Sequence, residues 1–486
     1  MHRSHRICIS RHFLSLVILT STWCIASAQD RLDPASMGTA RASIATTRGL
    51  GSVVANPGAI DLKTLDSVTL DKTLVFAVYT FGATLGSTYL SGDEFREIFG
   101  PRRGGLTNAQ RQRLAELLDP DKLFANGGIN LLTVRYRTEE SGTFGLHYGH
   151  RLVAQFDLPD EFITLLRTGA IVEDYVFENS GIGVSWTTQL GLSWGTELGS
   201  LSREGWLPSA GVGATLKLVQ GVAHFSVDDN SILTLENVVA GGGAAYLIRG
   251  GYTFRSAQPN DFDLNSSVGD FQTALFPGTS GLGVGVDIGV SGVLLRREVP
   301  STMPGATLKR DAIFYGLVLQ DVGTISWSTN TYERVLHNVR DTLRTASIDN
   351  EQLRRFEGKL QRVPDFSTPL PSVMRAGVGF DIGALTDNRD LQLRINVEGE
   401  VPLNDVPGNP DTGRFGLGAD WSPVPELALR TGLSVGGTNF HGFGLGFGIG
   451  WRPIDWLAID LGTSEIESIS TGERIDLSFR ISAAFH

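Results

Sequence analysis

The chain has 486 residues, a formal net charge of −11, a mean hydropathy of +0.01, 59 glycines, 25 phenylalanines and only 2 cysteines. An acidic balance without a basic stripe argues against a nucleic-acid partner, and beyond the first residues no apolar run is long enough for a membrane-spanning helix. Both cysteines, Cys8 and Cys24, sit near the N-terminus, which leaves the rest without disulfides, thiolate catalysis or cysteine-held metals, and no cofactor is expected.

The N-terminus reads as a cleaved secretory signal over residues 1–28. Arg3, Arg6 and Arg11 precede a short apolar core, Phe13-Leu-Ser-Leu-Val-Ile-Leu19, and the small residues Ala26-Ser-Ala28 form a cleavage site. Next comes a stretch of small residues, Ser36-Met-Gly-Thr-Ala-Arg-Ala-Ser-Ile-Ala45, and then Leu50-Gly-Ser-Val-Val-Ala-Asn-Pro-Gly-Ala-Ile60. In this second part Pro57 fixes φ, Asn56 is pushed towards an extended conformation, and Gly58 is expected to supply a positive φ for a sharp turn.

From residue 66 onwards the dominant signal is period-two alternation, the mark of β-strands. Strands are expected at roughly 66–79, 129–138, 142–155, 183–199, 208–225, 232–253, 281–297 and 311–328. The later ones are 371–384, 390–402, 412–422, 425–436, 440–452, 454–465 and 474–485. Several exceed ten residues, as tilted membrane strands do. Helices are expected at 107–118, with Thr107 as N-cap, at 158–167, and across the charged stretch 338–363.

The late strands are the clearest. In 391–401 Leu391, Leu393, Ile395, Val397 and Val401 share one face, opposite Gln392, Arg394, Asn396, Glu398 and Glu400. In 442–450 Phe443, Leu445, Phe447 and Ile449 face one way and only glycine faces the other, a bare surface over which other chain can pack. Trp421, Trp451 and Trp456 stand at proline-containing turns, which suits a membrane-interface girdle. Arg375, Asp381, Arg394, Glu398, Glu400, Arg430, Asp460 and Arg480 all fall on polar strand faces. They are expected to line a lumen, to pair across it and to pin whatever fills it. The closing strand, Arg474 to Phe485, puts Phe479, Ile481 and Phe485 on its apolar face. It resembles the closing strand that the barrel-assembly machinery recognises in bacterial outer-membrane barrels.

The fold expected is therefore all-β: a closed antiparallel transmembrane barrel in outer-membrane lipid, residues 66–486, with a plug over 29–65. Single-chain bacterial barrels usually have an even strand number, so one of the fifteen segments is in error. Fourteen strands fit best and sixteen next. The doubtful segment is 232–253, which Gly241-Gly-Gly243 can split; a strand missed near 36–45 or 262–275 is the other way to restore parity.

The small-residue stretch, the Asn56-Pro57-Gly58-Ala59 turn, Gly142-Thr-Phe-Gly-Leu146, Leu158-Pro159 and Gly213-Ala-Thr-Leu-Lys-Leu218, taken in order, resemble the FadL-like outer-membrane proteins, including the PorV-like proteins of type IX secretion. The resemblance implies a hatch inside the barrel and passage of an apolar or amphipathic small molecule. Alternatively it implies a PorV-like barrel that holds secreted proteins. A barrel hydrolase is a third reading. Among the histidines, His147 and His150, three apart on a strand, cannot share a site. His224 lies near Ser226 and Asp228 without a nucleophile elbow, so no enzyme activity is expected.

Overall fold

Alternating residues make strands because successive side chains leave a pleated backbone on opposite faces. The computed structural model describes residues 33–63, 72–86, 123–156, 175–177, 182–199, 207–227, 231–240, 243–259, 277–300, 307–344, 358–409, 412–437, 443–466 and 474–485. The expected signal over 1–28, the expected helices at 107–118 and 158–167 and the stretch 262–275 lie outside the described residues.

The strands in chain order are β1 (Leu74–Gly86), β2 (Leu123–Arg137), β3 (Thr143–Phe156), β4 (Tyr175–Phe177), β5 (Ile182–Glu197), β6 (Ser209–Val227), β7 (Ile232–Ala240), β8 (Gly243–Ala257), β9 (Gly281–Pro300) and β10 (Thr307–Trp327). They continue with β11 (Tyr332–Arg344), β12 (Lys359–Arg362), β13 (Phe366–Pro369), β14 (Val373–Asp381), β15 (Leu393–Pro402), β16 (Arg414–Val424), β17 (Leu427–Gly436), β18 (Phe443–Ile454), β19 (Leu457–Thr463) and β20 (Arg474–Phe485).

Fourteen of them close a barrel, each pairing antiparallel with the next: β1, β2, β3, β5, β6, β9, β10, and then β14 through β20. The ring shuts where β20 pairs with β1, from Leu74 beside Phe485 to Gly86 beside Arg474. Closure leaves the wall no unpaired edge, which is what a hydrocarbon environment demands. We call the end that holds Leu74 and Phe485 the near end. By the antiparallel order it also holds the turns at 138–142, 382–392, 425–426 and 455–456.

The extra segment in the fifteen is the one at 232–253. It divides into β7 and β8, which leave the wall: β4, β7, β8, β11 and β12 form a second sheet at the far end, joined to the barrel where β8 pairs with the end of β6. The helical reading of 338–363 is corrected at both its ends, because β11 runs as a strand to Arg344 and Lys359–Arg362 is the strand beside it, while 345–357 lie outside the described residues. Charges at 333, 334, 340, 341 and 344 mimic helical spacing, but a strand outside the bilayer can carry polar residues on both faces. Residues 36–45 hold no strand; they are a helical turn, Pro34–Gly38, followed by loop.

Outside, the wall is apolar. On β18 Phe443, Leu445, Phe447, Ile449 and Trp451 are exposed while the glycines between them are buried, and Leu192, Leu216, Leu218, Ile288, Leu317, Phe415 and Leu433 continue the belt around the barrel. An exposed apolar surface of that extent suits lipid and not water. Trp421, Trp451 and Trp456 stand about half exposed at near-end turns, at the rim of the belt.

Candidate functional site: the occupied barrel interior

Residues 33–63 fill the inside of the ring. Asp33 caps the Pro34–Gly38 turn by accepting from the Ala35 and Ser36 amides at 3.1 Å each. Gly49–Gly51, Ser52–Ala55 and Pro57–Ala59 add three more short helical turns. Nearly every residue between them is buried. The small side chains have a geometric reason: the segment lies with its backbone directly on inward-facing glycines of the wall. A Cβ on Gly446 would meet the Ala40 amide nitrogen at 2.4 Å, and one on Gly462 would meet the Pro34 carbonyl at 2.1 Å.

Asn56 is extended, at φ −155° and ψ 101°, and its side chain accepts from the Gly58 amide at 3.0 Å. Pro57 opens a 3-10 turn. Gly58 differs from expectation: it is absent from the positive-φ glycines, and its need is for space. A Cβ there would sit 2.4 Å from the Gly289 carbonyl oxygen of β9. The turn presses against glycine backbone on β5, β6 and β9.

The predicted polar-face charges are all buried or nearly so, and they gather mainly along the wall instead of across the lumen. Register explains why. Asp381 pairs with Arg394, Arg394 with Asp420, Asp420 with Arg430, and Asp460 with Arg480 across adjacent strands. Arg430 spans the glycine strand β18 to reach Asp460 at 2.8 Å, and Arg480 meets Asp460 at 2.7 Å. Asp381 serves a different partner, Arg310 at 2.8 Å, and caps the near-end helical turn Ile382–Leu385 through the Ala384 amide. The result is a row of alternating sign near the near end, from β10 round to β20. The segment joins it through Asp33, which pairs with Arg480.

A second group lies farther along the wall. Glu398 accepts from Arg375 at 2.7 Å and from Arg414 at 3.2 Å, and its other oxygen accepts from the Ser43 and Ile44 amides, each at 2.8 Å. Glu400 accepts from Arg414 at 3.0 Å. Arg414 also donates to the Ala40 and Arg41 carbonyls at 3.1 Å. Those two residues have φ of 50° and 65°, a left-handed conformation that costs non-glycine residues about 1–2 kcal/mol each. Arg414, unremarked in the sequence reading, thus clamps the most strained part of the segment.

A third group also escaped the sequence reading. Lys217 on β6 lies 2.7 Å from both Asp287 on β9 and Asp321 on β10, and Arg151 on β3 lies 3.8 Å from Asp321. Lys217 and Asp287 could have been found, since each interrupts an apolar or glycine strand at an inward position. Asp321 could not: it sits at φ 56° in a register shift between Leu319 and Val322, and only that bulge turns it inward. Arg48, on the segment, is buried and donates to Ser291 and to carbonyls of its own turn. Burial lowers its pKa to about 10, so it is a cation at neutral pH.

Between the segment and the wall from β15 to β1 lies a cavity of about 70 Å³, bordered by Asp33, Thr46, Arg48, Asp420, Arg430, Asp460 and Arg480 among others. At the far end the interior turns apolar: Trp327 packs with Val219, Ile325 and Leu370, and the His224 ring stacks on it at 5.1 Å. His224 Nε2 lies 3.1 Å from Ser226 Oγ, but its buried Nδ1 has no hydrogen-bond partner among the described residues, and Asp228 lies outside them. His147 is buried on an inward position of β3. His150 is buried on the alternate register, 3.1 Å from Thr188.

A family model described as a family of unknown function, DUF5723, matches residues 75–459. No curated protein matches the chain. Among solved structures it is similar to the CymD monoaromatic hydrocarbon channel, at TM-score 0.45 and 11% identity over 95% of this chain and 99% of that one. It is also similar to the Ralstonia pickettii toluene transporter TbuX, at TM-score 0.41 and 11% identity over 93% and 98%. A Pseudomonas aeruginosa FadL homologue is similar at TM-score 0.41 and 9% identity over 94% and 98%. Likeness of this degree carries no inference about a solute; the strand count above rests on the pairings alone.

Proposed function

The chain belongs to DUF5723, a family of unknown function, so its role has to be read from its own geometry, and we propose that it is an outer-membrane channel for a small amphipathic molecule, closed at rest by its N-terminal segment. The observation that carries this reading is the relation of wall to filling. The wall is a closed sheet with an apolar exterior, whereas residues 33–63 add no strand to it. They touch it through backbone laid on glycine, through side-chain hydrogen bonds and through a few ion pairs. Such contacts can be undone without opening the sheet, and moving them frees the interior. An interior polar at the near end and aromatic at the far end matches a molecule with both characters.

With the near end placed in the periplasm, as both termini of such barrels are, the second sheet projects outside the cell. That ordered surface favours a second reading, a barrel that holds a secreted protein. Capture of one exported partner by the intact chain, lost when β11 and β12 are removed, would support it. The hydrolase reading gains nothing from His224, whose ring is shut in by Trp327 and Phe366 and whose Nδ1 meets no described acid.

The channel reading is tested by deleting residues 33–63 behind the intact signal and reconstituting the protein in planar bilayers. Heat-modifiable electrophoretic mobility checks that the barrel still closes. Stepwise conductance several-fold above that of the full chain is expected. A closed barrel whose conductance is unchanged by the deletion would sink the proposal.

A further inference from the structure

We propose that the cavity between the N-terminal segment and the β16–β20 wall binds a dipolar group, a carboxylate and an ammonium carried together on one small molecule. This deepens the channel reading and rests on it, because it names the polar part of the solute. The cavity, about 70 Å³, has room for several water-sized groups. Three carboxylates (Asp33, Asp420 and Asp460) and three guanidinium groups (Arg48, Arg430 and Arg480) border it. A hydrocarbon would desolvate those ion pairs and offer no hydrogen bond in return. An ion of one sign would meet its own sign within the same small space.

Arg480 is the point of exchange. It holds two carboxylates, Asp460 on the wall at 2.7 Å and Asp33 on the segment. Asp460 in turn keeps Arg430 at 2.8 Å. Only Asp33 belongs to the movable part. A carboxylate arriving from solution takes the place of Asp33 on Arg480, and the released Asp33 is left beside the cavity needing a cation. An ammonium on the same molecule supplies it, so no charge is stranded in the interior. Neither a carboxylate nor an ammonium alone completes the exchange.

The exchange also loosens one part of the segment selectively. Residues 33–44 are tied by charge, through Asp33 and through the amides on Glu398. Residues 56–60 are wedged by backbone against Gly289 and Gly213 and offer no ion pair to trade. Binding of the dipolar group and opening of the β16–β20 side are one event, with the Asn56–Gly58 turn as the fixed end.

Isothermal titration calorimetry of the full chain in detergent tests this, with glycine, acetate, methylammonium and glycerol as probes. Saturable heat is expected with glycine and none with the other three, and it should vanish in Arg480→Gln. Asp33→Asn leaves the wall row intact and guards against misfolding of the arginine variant; it is expected to weaken glycine binding several-fold. Glycine binding no tighter than glycerol binding, or unchanged in Asp33→Asn, overturns the proposal. Liposome swelling separates this from the parent reading. If neither glycine nor glycerol enters through the barrel lacking 33–63, the channel reading falls; if both enter and the full chain shows no preference for glycine, only the dipolar site falls.

Discussion

Arg430 reaches Asp460 only because Gly450 stands between them. A Cβ on Gly450 would lie 2.9 Å from both Arg430 Nη2 and Asp460 Oδ1, closer than those atoms can tolerate without moving. Gly450→Ala is therefore expected to push the bridge apart and to cost about 1–3 kcal/mol, the usual range for overfilling a packed interior. A lower urea midpoint with unchanged slope would register it. Gly399→Ala is the control, since nothing lies within 4 Å of a Cβ there and its stability should match the parent protein. Equal loss in both variants would mean that the glycine gap in β18 has no special part in the charge row.

At the scale of the element, β18 divides its labour by alternation: aromatic and aliphatic side chains outward, glycine inward against Met37–Ala40. Phe447 is at the middle of the strand and 40% exposed. Phe447→Arg should destabilise the folded barrel in lipid by about 2–4 kcal/mol, the cost of an arginine at the bilayer midplane. Reversible unfolding from vesicles measures it, and an arginine tolerated there without loss would place β18 away from lipid. The far-end strands obey no such rule. β11 carries Glu333, Arg334, Arg340 and Asp341 on neighbouring positions, so its alternation is weak and its charges imitate a helix. Helical spacing therefore shows through at 338–344, whereas the clean alternation of 474–485 marks its strand to the residue.

For the whole molecule, closure is the decisive event, and it falls on the last strand. Phe485 stacks on Phe76 of β1 with ring centroids 5.4 Å apart and planes 10° from parallel. Ile481 and Phe485 face outward, as the closing-strand pattern requires, and Phe479 shares their face. Phe485→Ala loses the stack, about 0.5–1.5 kcal/mol beyond its buried area. It is expected to lower the yield of barrel in the outer-membrane fraction more than it lowers the urea stability of barrel already folded. Full yield with reduced stability would make Phe485 a packing residue without a part in assembly.

The wall was legible in the sequence because period two is local: each strand of the barrel advertises its two faces without reference to its neighbours. The same alternation assigned Arg375, Glu398, Glu400, Arg430, Asp460 and Arg480 to the interior, and parity marked 232–253 as a segment to doubt, though only the pairings show that it leaves the ring. What met what was not local. Arg414 with the strained Ala40–Arg41 pair, Asp33 with Arg480 and Asp321 with Lys217 join residues far apart in the chain. Their meeting depends on strand register, on one bulge and on glycines that let a second layer of backbone lie against the first. Composition and periodicity determined a barrel and its inward charges; only the closed tertiary structure decided which of those charges grip the N-terminal segment, since that is set by distances across the ring that no single strand encodes.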